Sequence, residues 1–297
     1  MLRVAFASGH RGVIGDHQRS RIRPILDSLS EDDYDTFREI LDQTSGSLPK
    51  AFVFKALTAN NEMDDIAWFA DQVSGKDYDW LIDNCTLGDA RGAGTGIRQQ
   101  YGHTCGVTTF QQIRGEYDPV YALRLRRANA DINAVDDDDP SLINPHMAAE
   151  QRSMTETPME GVEGEHEGVA APRSDLAAGV GRWVDDWLND LASVTGLEFE
   201  NVRDPSAAEA IATLDDKVGR GMMTPTVIGN GPGQYTHYIL CMDRRTDDDG
   251  DLEFLCHDPW DGTTTWTHED DISDGVMDIA GSNMITALEE PSRATDP

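Results

Sequence analysis

An α+β fold is expected from three features of this 297-residue chain. Apolar residues at helical spacing dominate residues 16–127 and recur at 180–221. Runs rich in β-branched and aromatic residues, separated by turn residues, fill 222–268. A strongly acidic stretch without apolar periodicity lies between the two. Helices gathered first and strands gathered last suit an α+β protein rather than an alternating α/β one.

The elements follow in order. Residues 16–84 read as short helices. Ser30 and Asp33 resemble a capping box before DDYDTFREIL, with Tyr34, Phe37 and Leu41 on one face. Asn61 is placed to cap EMDDIAWFADQV, whose Met63, Ile66, Phe69, Ala70 and Val73 form a stripe. KDYDWLIDNC adds a further turn or two. GDARGAGTGIRQQ (88–100) is a Gly-rich loop whose spacing is not the dinucleotide fingerprint. CGVTTFQQIRG (105–115) reads as a helix stopped by Gly115, and Asp118-Pro119 as the N-cap and first residue of the next. The domain expectation is a helical region 1–87, a main domain formed by 88–127 and 176–297, and an acidic flexible insertion 128–175.

From Asp131 to Glu167 there are eleven acids and one Arg, interrupted by Pro140, Pro145 and Pro158. VGRWVDDWLNDLASVTG places Trp183, Trp187, Leu188 and Leu191 on one side of a helix. SAAEAIATLDDKVGRG reads as another, and MMTPTVIG, QYTHYILCMD, DLEFLCHDPW and TTTWTHE read as strands.

A formal charge of −31 and a pI of about 4.3 argue against nucleic-acid or anionic-membrane partners. No apolar run approaches a membrane span, and MLRVAFASGH is too short in its apolar part for a secretory leader. The expectation is a protein made in the cytoplasm without a standard signal peptide, any export using a specialised secretion system. Four Cys (85, 105, 241, 256) without a CxxC pair favour reduced thiols over a zinc site or a disulfide framework, so neither cofactor nor metal is expected.

Cys105 stands where a helix begins. Free N–H groups and the helix dipole favour thiolate there, and thiolate is the nucleophile. A small buried Cys is the alternative. Gln99, or Gln100, lies just upstream, where a side-chain amide can join the Cys105 N–H in holding an oxyanion. QYTHYILCMD and DLEFLCHDPW flank RRTDDDGD and should form an antiparallel hairpin. A turn centred near Asp247–Asp248 sets His237 opposite Asp258, Ile239 opposite Cys256 and Cys241 opposite Phe254. Cross-strand neighbours touch, so an imidazole meets a carboxylate as a base and its orienting group. The same register puts Cys241 and Cys256 on a diagonal, where a disulfide is disfavoured. His103 and His257 are weaker base candidates. A metal held by Cys105, Cys241, Cys256 and a nearby His lacks regular ligand spacing.

With these residues in place, the chain resembles the papain-like cysteine peptidase superfamily. Gln99 ahead of HTCGVTT, a strand carrying His237 and a return ending in HDPWDGTT are most similar to bacterial C39-like peptidases. Those carry a CG helix start, an H-[YV]-[IV]-L strand and a D-P-W-x-G return. The likeness covers roughly residues 97–127 and 205–267. It implies a helical half carrying nucleophile Cys105, an antiparallel half carrying base His237 and third member Asp258, oxyanion donor Gln99 (alternative Gln100), and an extra N-terminal helical layer. RGEYDPVYALRLRR more loosely resembles papain-like proteins of contractile-injection and effector clusters. The implied activity is a thiol peptidase with a protein or peptide substrate; a secretion-apparatus or inhibitor partner fits the effector resemblance. A glutamine deamidase or transglutaminase toxin, or a non-catalytic binding protein, is the alternative.

Overall fold

The computed structural model describes residues 13–87, 97–99, 104–128, 149, 151 and 188–293. It is a mixture of helices and antiparallel sheet, as the sequence predicts. The Gly-rich 88–96 segment, Gln100, His103, Trp183, Trp187 and most of the acidic insertion lie outside the described residues.

The N-terminal layer holds α1 (Asp16–Ser28), α2 (Glu31–Gln43), α3 (Ser47–Thr58), α4 (Met63–Val73) and α5 (Tyr78–Cys85). Ser30 caps α2 as expected, its Oγ accepting from the Asp33 amide at 3.1 Å. Phe37 and Leu41 turn inward with Ile40, whereas Tyr34 is exposed. Asn61 does not cap α4. Glu62 takes the N-cap position, and the Asn61 amide instead donates to the Ala56 carbonyl and to Asp118 Oδ1, both at 3.0 Å. The layer shares one core, into which Val120 and Leu123 of α7 (Pro119–Ala128) also pack. Asp118 caps α7 as expected, accepting from the Val120 and Tyr121 amides.

The central helix α6 (Cys105–Tyr117) runs through Gly115 instead of stopping there. A Cβ at Gly115 would lie 2.3 Å from Leu87 Cγ. The glycine therefore makes room for the fully buried Leu87 rather than ending the helix.

Among the described residues six strands follow: β1 (Leu197–Arg203), β2 (Thr224–Gly229), β3 (His237–Thr246), β4 (Leu252–His257), β5 (Thr264–His268) and β6 (Met284–Arg293). They form one antiparallel sheet in the order β1-β6-β2-β3-β4-β5. β1 and β6 are absent from the sequence reading. Their runs, LEFENVR and MITALEEPSR, each carry two Glu, and the second a Pro, residues that weaken a strand signal. α8 (Ala207–Gly219) and α9 (Glu269–Asp274) cover one face over Ile239, Cys241, Phe254, Cys256 and Ile285. α6 covers the other over Tyr238, Leu240 and Met242, joined by Leu188 and Leu191 of a helical stretch at 188–195. Among the described residues no helix is long and apolar enough to cross a membrane.

Candidate active site

The packing of α6 on β3 brings the start of one to the start of the other. Cys105 is the first residue of α6 and is half-buried. Burial pushes its thiol up. The hydrogen bond and positive charge of His237 and the amides of Tyr238 and Gly106 outweigh that, so the net shift is below the ordinary thiol value of 9.0.

His237 opens β3 and is buried. Its Nε2 lies 2.6 Å from Asp258 Oδ1, which leaves Nδ1 for the thiol. Burial alone would lower the imidazole. The bonds to Asp258 and Cys105 override it and raise His237 from 6.5 to about 9. A lowered thiol beside a raised imidazole shifts the pair toward thiolate and imidazolium.

Asp258 is fixed by the turn that follows β4. Its Oδ1 also accepts from the Trp260 amide at 2.8 Å. Its own amide donates to the Thr263 carbonyl and its carbonyl accepts from Gly262, at 2.8 and 2.9 Å. DPWDGT thus folds back on itself and holds one carboxylate oxygen toward the ring.

His237 and Asp258 meet, but not in the expected register. Cys241 faces Cys256 and Leu240 faces His257, so at the site end the strands are slid by two residues from the expected pairing. The cause is twofold. The hairpin loop is five residues, Asp247–Asp251, closed by Asp247 Oδ1 accepting from the amides of Asp249, Gly250 and Asp251. A bulge then falls between Cys241 and Asp243, leaving Met242 unmatched. The five-residue loop alone slides the outer part, where Arg244 faces Phe254, by three; the bulge takes one back, and the even slip left at the site end keeps His237 and Asp258 on the same face. His237 therefore reaches Asp258 diagonally. The diagonal position expected for Cys241 and Cys256 is likewise corrected: they are direct partners, free thiols with sulfurs 3.4 Å apart.

Gln99 is buried beside this turn, its backbone N–H donating to the Pro259 carbonyl at 2.7 Å. His257, on the opposite side of β4 from Asp258, is fully buried. Burial holds it neutral, lowering it to about 4, against the smaller opposing effects of Asp258 and the Ile97 carbonyl. It is no general base near neutral pH.

One participant escapes the sequence reading. Gln151, inside the stretch expected to be a flexible acidic insertion, is fully buried against the start of α6 and bonded to Thr104, Gln111 and the Arg98 carbonyl. An uncharged Gln in an acidic run is the one available hint.

Among the described residues, one group of His, Cys, Asp or Glu ligand atoms converges within 4.8 Å: Asp247, Asp251 and His268, away from all four Cys. His268 Nδ1 accepts from the Asp270 amide at 3.1 Å, which makes Nε2 the protonated nitrogen. That N–H faces Asp247 and Asp251 at 3.6 and 3.8 Å and offers no lone pair to a cation.

No protein-family model matches the chain, and no curated protein matches it.

Proposed function

We propose that the chain is a papain-like cysteine peptidase that hydrolyses amide bonds in a protein or peptide substrate. The observation that carries this is the line from the Cys105 sulfur through the His237 ring to Asp258, with Nε2 and Oδ1 2.6 Å apart. The pattern of Gln99, CGVTT, the His237 strand and DPWDG supports the same reading.

The Cys105 thiolate adds to the substrate carbonyl carbon. The developing oxyanion takes hydrogen bonds from the Cys105 amide, at the open start of α6, and from the Gln99 side chain. The His237 imidazolium gives its Nδ1 proton to the departing amine as the C–N bond breaks, leaving an acyl-thioester. Neutral His237 then takes a proton from water. The hydroxide adds to the thioester carbonyl, and collapse releases the acid and returns the thiolate. Asp258 fixes the ring and stabilises its cation.

The test is product analysis by mass spectrometry on candidate proteins incubated with wild type and Cys105→Ala. The proposal expects new chain ends with wild type and none with the variant. Ammonia release without chain cleavage would move the assignment to glutamine deamidation on the same residues. Cleavage that survives in Cys105→Ala would overturn it.

A further inference from the structure

Gln151 is far from Cys105 in sequence, yet its side chain ties together the segments on both sides of the thiol. The Thr104 hydroxyl donates to its Oε1 at 2.9 Å. Its Nε2 donates to Gln111 Oε1 at 3.0 Å and to the Arg98 carbonyl at 3.3 Å. Gln111 lies on α6, and its own amide donates to the Tyr121 hydroxyl of α7 at 3.3 Å. Arg98 directly precedes Gln99, and Thr104 directly precedes Cys105.

The consequence lies in the helix cap. A Thr at the N-cap ordinarily turns its hydroxyl onto the helix and accepts from an amide of the first turn. Thr104 holds the N-cap position of α6 but makes no such bond, and its backbone, at φ −98° and ψ 17°, is not in the extended form usual for a cap. Its hydroxyl is a donor to Gln151 instead. The first-turn amides stay clear of that hydroxyl, and the Gly106 amide donates to the Cys105 sulfur. Those amides are the donors that a thiolate and a forming oxyanion need.

We propose that Gln151 is a positioning residue for the Cys105 site: it holds the Thr104 hydroxyl off the first turn of α6 and so reserves the helix amides for the sulfur and the oxyanion. This rests on the Cys105 chemistry proposed above. Without the Gln151 side chain, the Thr104 hydroxyl turns back and caps α6, taking a donor from the thiolate. Thr104→Val keeps the shape of the cap residue but cannot accept, so it should relieve the loss.

The experiment compares wild type, Gln151→Ala, the volume-keeping Gln151→Met, Thr104→Val, and each double variant. Iodoacetamide alkylation of Cys105 is followed against pH by peptide mass spectrometry, with circular dichroism to check folding and with kcat and KM on any substrate found. Both Gln151 variants should alkylate Cys105 about tenfold more slowly at neutral pH, with the apparent thiol pKa moved up. Turnover should fall through kcat while KM holds. Adding Thr104→Val should return the alkylation profile toward wild type, although one more side chain is lost. An unchanged profile in folded Gln151→Ala or Gln151→Met, losses that simply add in the double variants, or unfolding that Thr104→Val does not relieve would each overturn the inference. A wild type that fails to alkylate Cys105 ahead of the other thiols would instead overturn the peptidase reading, so the two failures are distinct.

Discussion

His237 and Asp258 are joined by a 2.6 Å hydrogen bond although they do not face each other across the β3–β4 ladder. The last matched pair is Leu240 with His257, so Asp258 lies diagonally across from His237. The Met242 bulge makes this possible. Carried on without the bulge, the Arg244–Phe254 register would turn Asp258 to the face of Tyr238 and Leu240, away from His237. Deletion of Met242 should therefore keep the hairpin by circular dichroism yet reduce kcat by about 10²-fold or more, whereas Met242→Ala, which keeps the bulge, should stay within about threefold.

Asp258 sets the charge of the ring as well as its direction. The pH–rate profile of amide hydrolysis should fall on its acid side below the ordinary thiol value of 9.0, as Cys105 takes up a proton, and on its basic side near 9, as His237 loses one. Asp258→Asn removes the charge that raises His237. Its basic limb should move down toward 6.5, and kcat should drop by about 10²- to 10⁴-fold. A basic limb that stays near 9 in Asp258→Asn would contradict the assignment of that limb to the pair.

Stability against acid should depend on two other histidines. His257 is lowered from 6.5 to about 4 by burial, and His17, bonded through Nε2 to the Thr195 carbonyl, is lowered mainly by burial too. A folded state that keeps these rings neutral binds fewer protons than the unfolded chain. Their contribution is complete above 6.5 and is lost as pH falls below it; for His257 the loss runs down to about 4 and amounts to about 3 kcal/mol. Urea midpoints measured from pH 7 to 4.5 should fall for wild type and fall less for His257→Phe.

Gly115 offers a test of the helix that carries the thiol. Ala is favoured over Gly in a helix interior by about 1 kcal/mol, yet a Cβ here would sit 2.3 and 2.4 Å from Leu87 Cγ and Cδ1. Overpacking wins: Gly115→Ala should destabilise by about 1–3 kcal/mol in urea unfolding. A neutral or stabilising result would show that Leu87 yields freely.

These cases mark what is legible in the sequence. Cys105 is readable because a helix start has local signals, and Asp118-Pro119 fixes the next one. The hairpin is readable from its strand composition, and the expected meeting of His237 and Asp258 survives because the slip is even at the site end of the ladder. The Met242 bulge has no local signal, since nothing in RRTDDDGD counts the residues of one strand against the other. Gly115 has the composition of a stop signal, and only the tertiary contact with Leu87 shows otherwise. Gln151 is hidden because its partners, Arg98, Thr104 and Gln111, are distant in the chain and its surroundings are acidic and aperiodic. β1 and β6 pair with residues far away in sequence, and their Glu residues, with the Pro of β6, weaken the strand signal.

The most direct measurement is the rate at which each of the four cysteines of wild type is alkylated by iodoacetamide as a function of pH, resolved by peptide mass spectrometry. Cys85 is buried and its thiol is pushed up to about 12; Cys241 and Cys256 are buried against each other. Cys105 is half-buried, with its thiol lowered by the His237 imidazolium. The account predicts that Cys105 reacts first at neutral pH, with a titration below that of an ordinary thiol that moves up in His237→Ala. Cys105 reacting no faster than the other three, or with the same titration in His237→Ala, would contradict it.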